Sequence, residues 1–283
     1  WHLRFLKRYS ELDAKYSRQI EQKRTIAKQD YFTLSHFYDK YREAITKYNL
    51  KPTNIYNIDE IGSMLGFVQA VKVITSKLRE HETLVSYLGG REMIMVLEAI
   101  CLDGSFLENP IIIFKGDGIE QCWVENESCS IPDGVLIGHS PNGWTDNKKS
   151  LAYLAKFFGP ESFTVKKAAG EYRMLLFDGH GFHVSWQFLS YCLSHKIISF
   201  CLPPHTSHRL QPLDVAVFSH FKRYYSNRIL ERCKFGDHGV TKENFCSILG
   251  PARMQAFTNS NISSGFRATG LYLLDPLCIL STI

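Results

Sequence analysis

The 283-residue chain lacks the long apolar runs of a membrane helix. Its longest apolar stretches, residues 93–102 and 197–202, fall far short of the about 20 residues that span a bilayer, and the first carries Glu98. No basic, apolar and small-residue pattern typical of a secretory signal opens the sequence. These features exclude a membrane-spanning protein. The chain begins at Trp1 and not at Met, so we expect that its N-terminus is truncated.

The cysteines also lack the spacing of a disulfide framework or a zinc ribbon. Eight are scattered along the chain with no CxxC pair, which favours reduced thiols in an intracellular compartment. The composition is 45% hydrophobic, 13% aromatic and 22% charged, close to the average of globular proteins. A disordered, collagen-like or coiled-coil protein is excluded, and a folded protein is predicted.

Positive charge is concentrated at one end of the chain. Residues 1–50 hold eleven Lys and Arg against six Asp and Glu, whereas the whole chain has a net charge of +5. The remaining residues are therefore neutral in sum. A basic end on a neutral body indicates an anionic partner such as nucleic acid, although a solvated helix surface explains the same charge.

The hydrophobic pattern predicts an α/β fold. A helix is expected over 33–49, because its apolar residues recur at i, i+3, i+4 and i+7. Near-continuous apolar runs then predict strands buried on both faces, at 55–58, 93–102, 110–114, 174–177 and 197–202. Helical patterns separate the later runs, so we expect a mixed sheet with antiparallel strands first and parallel strands later. Residues 117–148 are expected to be a loop-rich insertion.

Three carboxylates follow these apolar runs. Asp59 and Asp178 close predicted strands, and Asp214 precedes a predicted helix. Each alone is most simply a helix cap or turn former. Together, at the end of the sheet where α/β proteins place their sites, they predict a binding site for one or two Mg²⁺ ions, with Mn²⁺ as a substitute. Two such ions support phosphodiester transfer.

Five segments of the chain resemble the pogo-type DDE transposases, a family that includes fungal transposons, the Tigger and jerky proteins and centromere protein B. The resemblance extends from about Trp1 to Pro276. It is carried by YNIDEIGSMLG (56–66), SPNGWTDN (140–147), LLFDGHGFH (175–183), CLPPHTSHRLQPLDVAVF (201–218) and SGFRATGLYLLDP (264–276). The family's residues DETGF are replaced here by Asp59-Glu60-Ile61-Gly62-Ser63, which changes no predicted metal ligand.

The resemblance implies a fold, a function and a domain order. The fold is RNase H-like, with a mixed five-stranded sheet flanked by helices, and Asp59, Asp178 and Asp214 are its catalytic and metal-binding triad. It further implies a nuclear enzyme that cuts and joins DNA at transposon ends and targets, and that could act as a homo-oligomer. The implied domains are the tail of a helix-turn-helix DNA-binding domain (1–30), an amphipathic helix (31–50), the catalytic domain (51–235) and a C-terminal helical extension (236–283).

Four histidines near the predicted triad form two HxxH spacings, His180 with His183 and His205 with His208. We expect them to line the site by orienting carboxylates or contacting phosphates. A zinc site is the less favoured interpretation, since no cysteine is spaced to join them. Loop hydrogen bonding is the remaining one.

Several further polar residues have two interpretations each. Glu60 is expected to be structural, and Asp146 is expected to cap a helix although it could add a fourth ligand. Lys222, Arg223 and Arg228 either bind DNA phosphates or form a solvated helix surface. Arg267 has the same two options of phosphate contact or a local capping role.

Two other functions compete with an active transposase. A transposase-derived DNA-binding or chromatin protein would keep the fold without catalysis, but three clustered carboxylates without a metal would then repel one another. A metal-dependent hydrolase of small phosphoesters would share the ligands and is disfavoured by the resemblance and the basic N-terminus.

Overall fold

A computed structural model describes residues 31–65, 92–126, 129–130, 134–179, 185–234 and 240–283. The predicted DNA-binding tail, residues 1–30, lies outside the described residues. The boundaries proposed for the four domains stay predictions.

The centre of the protein is a mixed six-stranded sheet in the order β6-β3-β2-β1-β7-β8, beside a separate two-stranded ribbon of β4 and β5. The strands are β1 (Ile55–Met64), β2 (Met93–Cys101), β3 (Ile111–Lys115), β4 (Glu125–Asn126), β5 (Cys129–Ser130), β6 (Leu136–Ser140), β7 (Arg173–Phe177) and β8 (Ile197–Cys201). β1, β2 and β3 are antiparallel neighbours, whereas β6, β7 and β8 join the sheet in parallel. The predicted α/β class and mixed sheet are confirmed.

The sheet has one strand more than the expected five. The additional strand β6 lies in the segment 117–148 that we expected to be loop-rich. It occupies one edge of the sheet, and most of its residues are only half-buried. Its sequence, Leu-Ile-Gly-His-Ser, does not contain a continuous apolar run of the kind by which the five predicted strands are recognised.

Helices cover both faces of the sheet. They are α1 (Tyr31–Tyr48), α2 (Gln121–Val124), α3 (Asn147–Phe158), α4 (Phe163–Ala168), α5 (Trp186–Ser194), α6 (Ser207–Leu210), α7 (Phe218–Lys234), α8 (Phe245–Ala256), α9 (Asn259–Ala268) and α10 (Leu277–Leu280). A π-helical turn, Leu213–Val217, leads directly into α7 and is called the π segment below. The larger core lies between the sheet and α1, α7, α8 and α9. The smaller core lies on the opposite face, under α3 and α5.

Helix α1 joins the larger core through aromatic contacts. Phe37 and Tyr41 pack against Phe200 of β8 at ring-centroid distances of 5.5 and 5.7 Å. The Tyr38 hydroxyl donates a 2.7 Å hydrogen bond to the backbone carbonyl of Thr269. The first described helix is therefore attached both to the sheet and to the C-terminal part of the chain.

A buried ion pair connects the C-terminal helices to the middle of the sheet. Arg253 of α8 donates from Nε to both carboxylate oxygens of Glu98 in β2, at 2.8 and 3.0 Å, and from Nη2 to Oε2 at 2.9 Å. Both side chains are almost completely buried. Arg253 Nη1 also donates to the carbonyl of Glu108 at 2.6 Å. Because its charge and hydrogen bonds are satisfied, the pair fixes α8 on the sheet without leaving a bare buried charge.

Replacing Arg253 by Leu should lower the free energy of unfolding by about 3–5 kcal/mol, because the Glu98 carboxylate would stay buried without its partner. Urea denaturation measures this change. Arg42→Leu is the control, since Arg42 pairs with Asp39 at an exposed position of α1, and its loss should cost less than about 1 kcal/mol. Equal losses in the two variants would contradict the role given to Arg253.

Candidate active site

Strand register brings two of the three aspartates side by side. β1 and β7 pair in parallel with Ile55 opposite Met174 and Asn57 opposite Leu176. Continuing this register by two residues sets Asp59 level with Asp178, directly beyond the end of β7. Paired residues of parallel strands project to the same face. The two carboxyls therefore lie on one side of the sheet, where β7 stops.

The prediction that Asp59 closes its strand is wrong. β1 continues to Met64, because the antiparallel partner β2 keeps pairing with it from Asp59 opposite Glu98 to Met64 opposite Met93. The edge at this point is formed by the end of β7 alone. Since β1 continues, Glu60 faces the opposite side of the sheet from Asp59, as its expected structural role requires.

The third aspartate is carried by the π segment. Asp214 is exposed and is the second residue of that turn, whereas its neighbour Leu213 is fully buried. The Leu213 N–H donates a 3.1 Å hydrogen bond to Oδ1 of Asn57 in β1. This bond attaches the start of the π segment to the sheet two residues before Asp59. Single π turns within helices recur at functional sites.

Helix α9 holds the π segment from its other side. A Cβ atom added at Gly265 would stand 2.7 Å from the carbonyl oxygen of Pro212 and 3.3 Å from the side chain of Ala216. Only a glycine allows this approach between two backbones. The glycine of the SGFRATG sequence thus permits α9 to pack against the segment that presents Asp214.

The three carboxyls interact electrostatically. Burial raises the pKa of Asp59 well above its usual range, and the charges of Asp214 and Asp178 raise it further. The hydrogen bond that the Glu60 N–H donates to Asp59 Oδ1, at 2.8 Å, acts in the opposite direction. Asp59 and Asp214, 155 positions apart in the sequence, therefore lie within electrostatic range of each other, although no three His, Cys, Asp or Glu side chains in the described ranges are arranged as ligands of one ion.

Gln211 adds a neutral polar group beside these charges. Its side chain is completely buried, and within the described part of the chain neither Nε2 nor Oε1 has a hydrogen-bond partner of acceptable geometry. It nevertheless lies close enough to Asp59 to lower the pKa of that carboxyl. Three carboxyls and a buried carboxamide beside them form an oxygen-rich donor set, which suits Mg²⁺ or Mn²⁺.

The predicted histidines fall into two groups. His180 and His183 lie outside the described residues. His205 and His208 are exposed in the connection between β8 and the π segment, where His205 adopts a left-handed backbone conformation with φ of 63°. Their suggested role in lining the site stays a prediction.

The other polar residues are resolved more clearly. Asp146 is a helix cap, as expected, since its side chain accepts a 2.8 Å hydrogen bond from the Lys149 N–H at the start of α3. Lys222 and Arg223 are exposed on α7, and Arg223 lies over the Tyr224 ring at 4.9 Å.

Of the two remaining arginines, Arg228 is half-buried and Arg267 is exposed. Arg228 is half-buried on α7, with an Nε atom that has no hydrogen-bond partner in the described ranges. Arg267 stacks over Tyr272 at 5.0 Å.

Two polar residues have roles that the sequence did not reveal. The hydrogen bonds of Asn57 and the buried amide of Gln211 depend on distances between segments far apart in the chain. The one available signal was an Asn within the apolar run 55–58, two residues before the first aspartate.

Comparison with known families identifies the domain. A family profile described as DDE superfamily endonuclease matches residues 91–266. The chain belongs to this family. The matched range contains Asp178 and Asp214 and begins after Asp59. The position of Asp59 beside Asp178 is therefore inferred from the strand register and not from the family match.

Curated relatives share the domain but are much longer proteins. The chain is 33% identical over 237 residues to the protein named MFS-type transporter clz9 of Cochliobolus lunatus, covering 84% of this chain and 25% of that protein. It is 23% identical to the human pogo transposable element with ZNF domain, covering 70% of this chain and 13% of the relative. The chain thus spans a quarter or less of these relatives. Among its described helices, none is long and apolar enough to cross a membrane.

Solved transposase structures share the fold of this DDE-family domain. The Mos1 strand transfer complex aligns with a TM-score of 0.59 at 9% identity, over 99% of this chain and 69% of the Mos1 chain. The Mos1 mariner paired end complex with Mn aligns with a TM-score of 0.54 at 9% identity, over 100% and 71%. The chain is a DDE superfamily endonuclease domain by family, and it shares the RNase H-like fold of these structures.

Asp59→Asn should stabilise the protein in a metal chelator, and increasingly so as the pH rises. A carboxyl whose pKa is raised on folding binds its proton more tightly in the folded state. The folded protein therefore loses stability as the pH rises from the pKa of this carboxyl in the unfolded chain through its raised pKa in the folded protein. Each unit of such a shift corresponds to about 1.4 kcal/mol. Thermal unfolding of the variant and the parent between pH 4 and pH 8 measures the difference.

Asp146→Asn is the control, because its effect on stability should be opposite to that of Asp59→Asn. Although burial opposes it, the hydrogen bonds from Lys149 lower the pKa of Asp146, so this carboxylate stabilises the folded protein above its unfolded pKa. Its replacement should therefore destabilise the protein at neutral pH. An Asp59→Asn variant that is less stable than the parent at pH 8 would contradict the charge repulsion described above.

Proposed function

We propose that the chain cleaves and joins DNA strands in a divalent-metal-dependent reaction at Asp59, Asp178 and Asp214. The observation that carries the proposal is the convergence of the three carboxyls at one end of the sheet, two by strand register and one on the π segment. The three carboxyls differ in burial. Asp59 and Asp178 are half-buried, while Asp214 is exposed toward solvent. A DNA backbone could therefore approach without the sheet opening.

The residues of the site fit Mg²⁺ or Mn²⁺ as the cofactor. Asp59, Asp178 and Asp214 would hold the metal, which when bound in a pair activates a water or 3′-hydroxyl and stabilises the leaving oxygen of phosphodiester transfer. Gln211 would orient the Asp59 carboxylate from the buried side. Lys222 and Arg223, exposed on the helix that follows Asp214, would bind DNA phosphates without reading sequence.

The partners follow from this chemistry. DNA, as transposon ends and as target, would be the substrate, and the nucleus would be the place of action. The Mos1 structures that share this fold are a strand transfer complex and a paired end complex with Mn. For the present chain we propose DNA as the substrate, a divalent metal as the cofactor and a second copy of the chain as a partner.

The 283-residue chain should nick supercoiled plasmid DNA in Mn²⁺ and not in EDTA. Asp178→Ala and Asp214→Ala should each reduce nicking by more than about a hundredfold, since even the loss of an outer-shell partner costs 10–100-fold. Asp146→Ala is the matched control, because that carboxylate caps α3 and should leave nicking unchanged. Conversion of supercoiled to open-circular plasmid on a gel measures each rate.

Two results would overturn the proposal. Nicking that persists equally in all three variants would show a contaminating nuclease. A folded chain that binds the plasmid without nicking it in either metal would favour the transposase-derived DNA-binding protein instead.

A further inference from the structure

One buried side chain contacts the segments that carry all three aspartates. Asn57 has no solvent exposure. Its Nδ2 donates to the carbonyl of Leu176 at 3.2 Å, and its Oδ1 accepts the N–H of Leu213 at 3.1 Å. Leu176 precedes Asp178 by two residues, Leu213 precedes Asp214 by one, and Asn57 itself precedes Asp59 by two.

We propose that Asn57 is a positioning residue of the active site, which fixes the separations of Asp59, Asp178 and Asp214 by bonding their three chain segments with one carboxamide. The proposal rests on the function proposed above for the three aspartates. Asn57 touches no substrate in this account and acts through the backbones of its neighbours.

The backbone alone does not make these connections. The ladder between β1 and β7 ends at the pair of Asn57 and Leu176, so the Asn57 side chain supplies a further bond where the ladder stops. The π segment begins after Pro212, which has no N–H, and no side chain of its own caps it. The buried Leu213 N–H is therefore satisfied from the sheet and not from within its own helix.

The bonding requires a carboxamide in one orientation. The oxygen must face the Leu213 N–H, and the NH₂ group must face the Leu176 carbonyl. In a flipped amide the NH₂ group would face the Leu213 N–H, donor to donor, and the oxygen would face the Leu176 carbonyl, acceptor to acceptor. An aliphatic residue offers neither group, and an ionised aspartate offers only the acceptor. The residue type at this position therefore follows from the two partners.

The chain offers a matched control in Asn54. This asparagine is also buried, at 1% exposure, and it lies just before the same strand. Its amide donates to Glu171 at 3.3 Å, at the end of β1 that lies away from the aspartates. Asn54→Ala removes a buried carboxamide as Asn57→Ala does, without touching the segments of the site.

The first measurement is amide hydrogen exchange in the metal-free protein. In Asn57→Ala the Leu213 amide should exchange about tenfold faster, since it loses its acceptor. The Val215 amide, which donates to the Gln211 carbonyl at 2.9 Å, should change much less, and Asn54→Ala should leave Leu213 unaffected. Unchanged Leu213 exchange in Asn57→Ala would overturn the proposal.

The second measurement is the Mn²⁺ concentration that gives half-maximal plasmid nicking. Asn57→Ala should raise it about 10–100-fold, as the loss of an outer-shell partner does, whereas Asn54→Ala should not. An equal rise in both variants would show a general loss of stability and overturn the positioning role.

A third variant tests the proposal if Asn57→Ala does not fold. Asn57→Asp, measured in mildly acidic buffer where the buried carboxyl is protonated, keeps the shape, the oxygen that accepts from Leu213 and a hydroxyl that donates to Leu176, so the Leu213 amide should still exchange slowly. Fast exchange in this variant would overturn the proposal. If the parent chain nicks no plasmid, but the Leu213 amide still exchanges faster in Asn57→Ala, the proposed function is wrong and the contact made by Asn57 is retained. The two failures are therefore distinguishable.

Discussion

Like-charge repulsion among three carboxyls is the constraint on which the site depends. Burial disfavours the ionised form of Asp59, the charges of Asp214 and Asp178 disfavour it further, and the raised pKa of Asp59 reflects this combined cost. Such groups separate unless the surrounding chain prevents it. The strand register of β1 and β7 prevents it for two of them, and the anchored π segment prevents it for the third. Stability is thereby lost at the site and must come from elsewhere in the fold.

The packing supplies that stability on both sides of the π segment. Toward the sheet, Asn57 accepts the Leu213 N–H, and toward the C-terminal helices, Gly265 allows α9 to approach the Pro212 carbonyl. α8 is fixed in turn by the buried pair of Arg253 with Glu98. The C-terminal helices therefore belong to the support of the active site. A change in this region should reach the aspartates through the position of the π segment.

Much of this arrangement follows from the sequence, and the rest depends on distances between remote segments. Continuous apolar runs predicted five strands, because strands buried on both faces leave no polar alternation. Strand β6 was missed because Gly138, His139 and Ser140 interrupt its apolar run. The end of β1 was misplaced at Asp59, since its continuation depends on pairing with β2 and not on its own composition. The aspartates were recognisable by type and position, whereas the roles of Asn57 and Gln211 became visible only in the folded chain.

Calorimetric titration of the purified chain with Mn²⁺ tests most directly whether the three aspartates form one metal site. The comparison is an Asp59→Ala, Asp178→Ala double variant, with matched folding verified by circular dichroism. The account predicts saturable binding to the parent that disappears in the double variant, because the remaining carboxylate cannot hold the ion alone. Equal, weak binding to both proteins would show that the carboxyls do not act together, and would contradict the account.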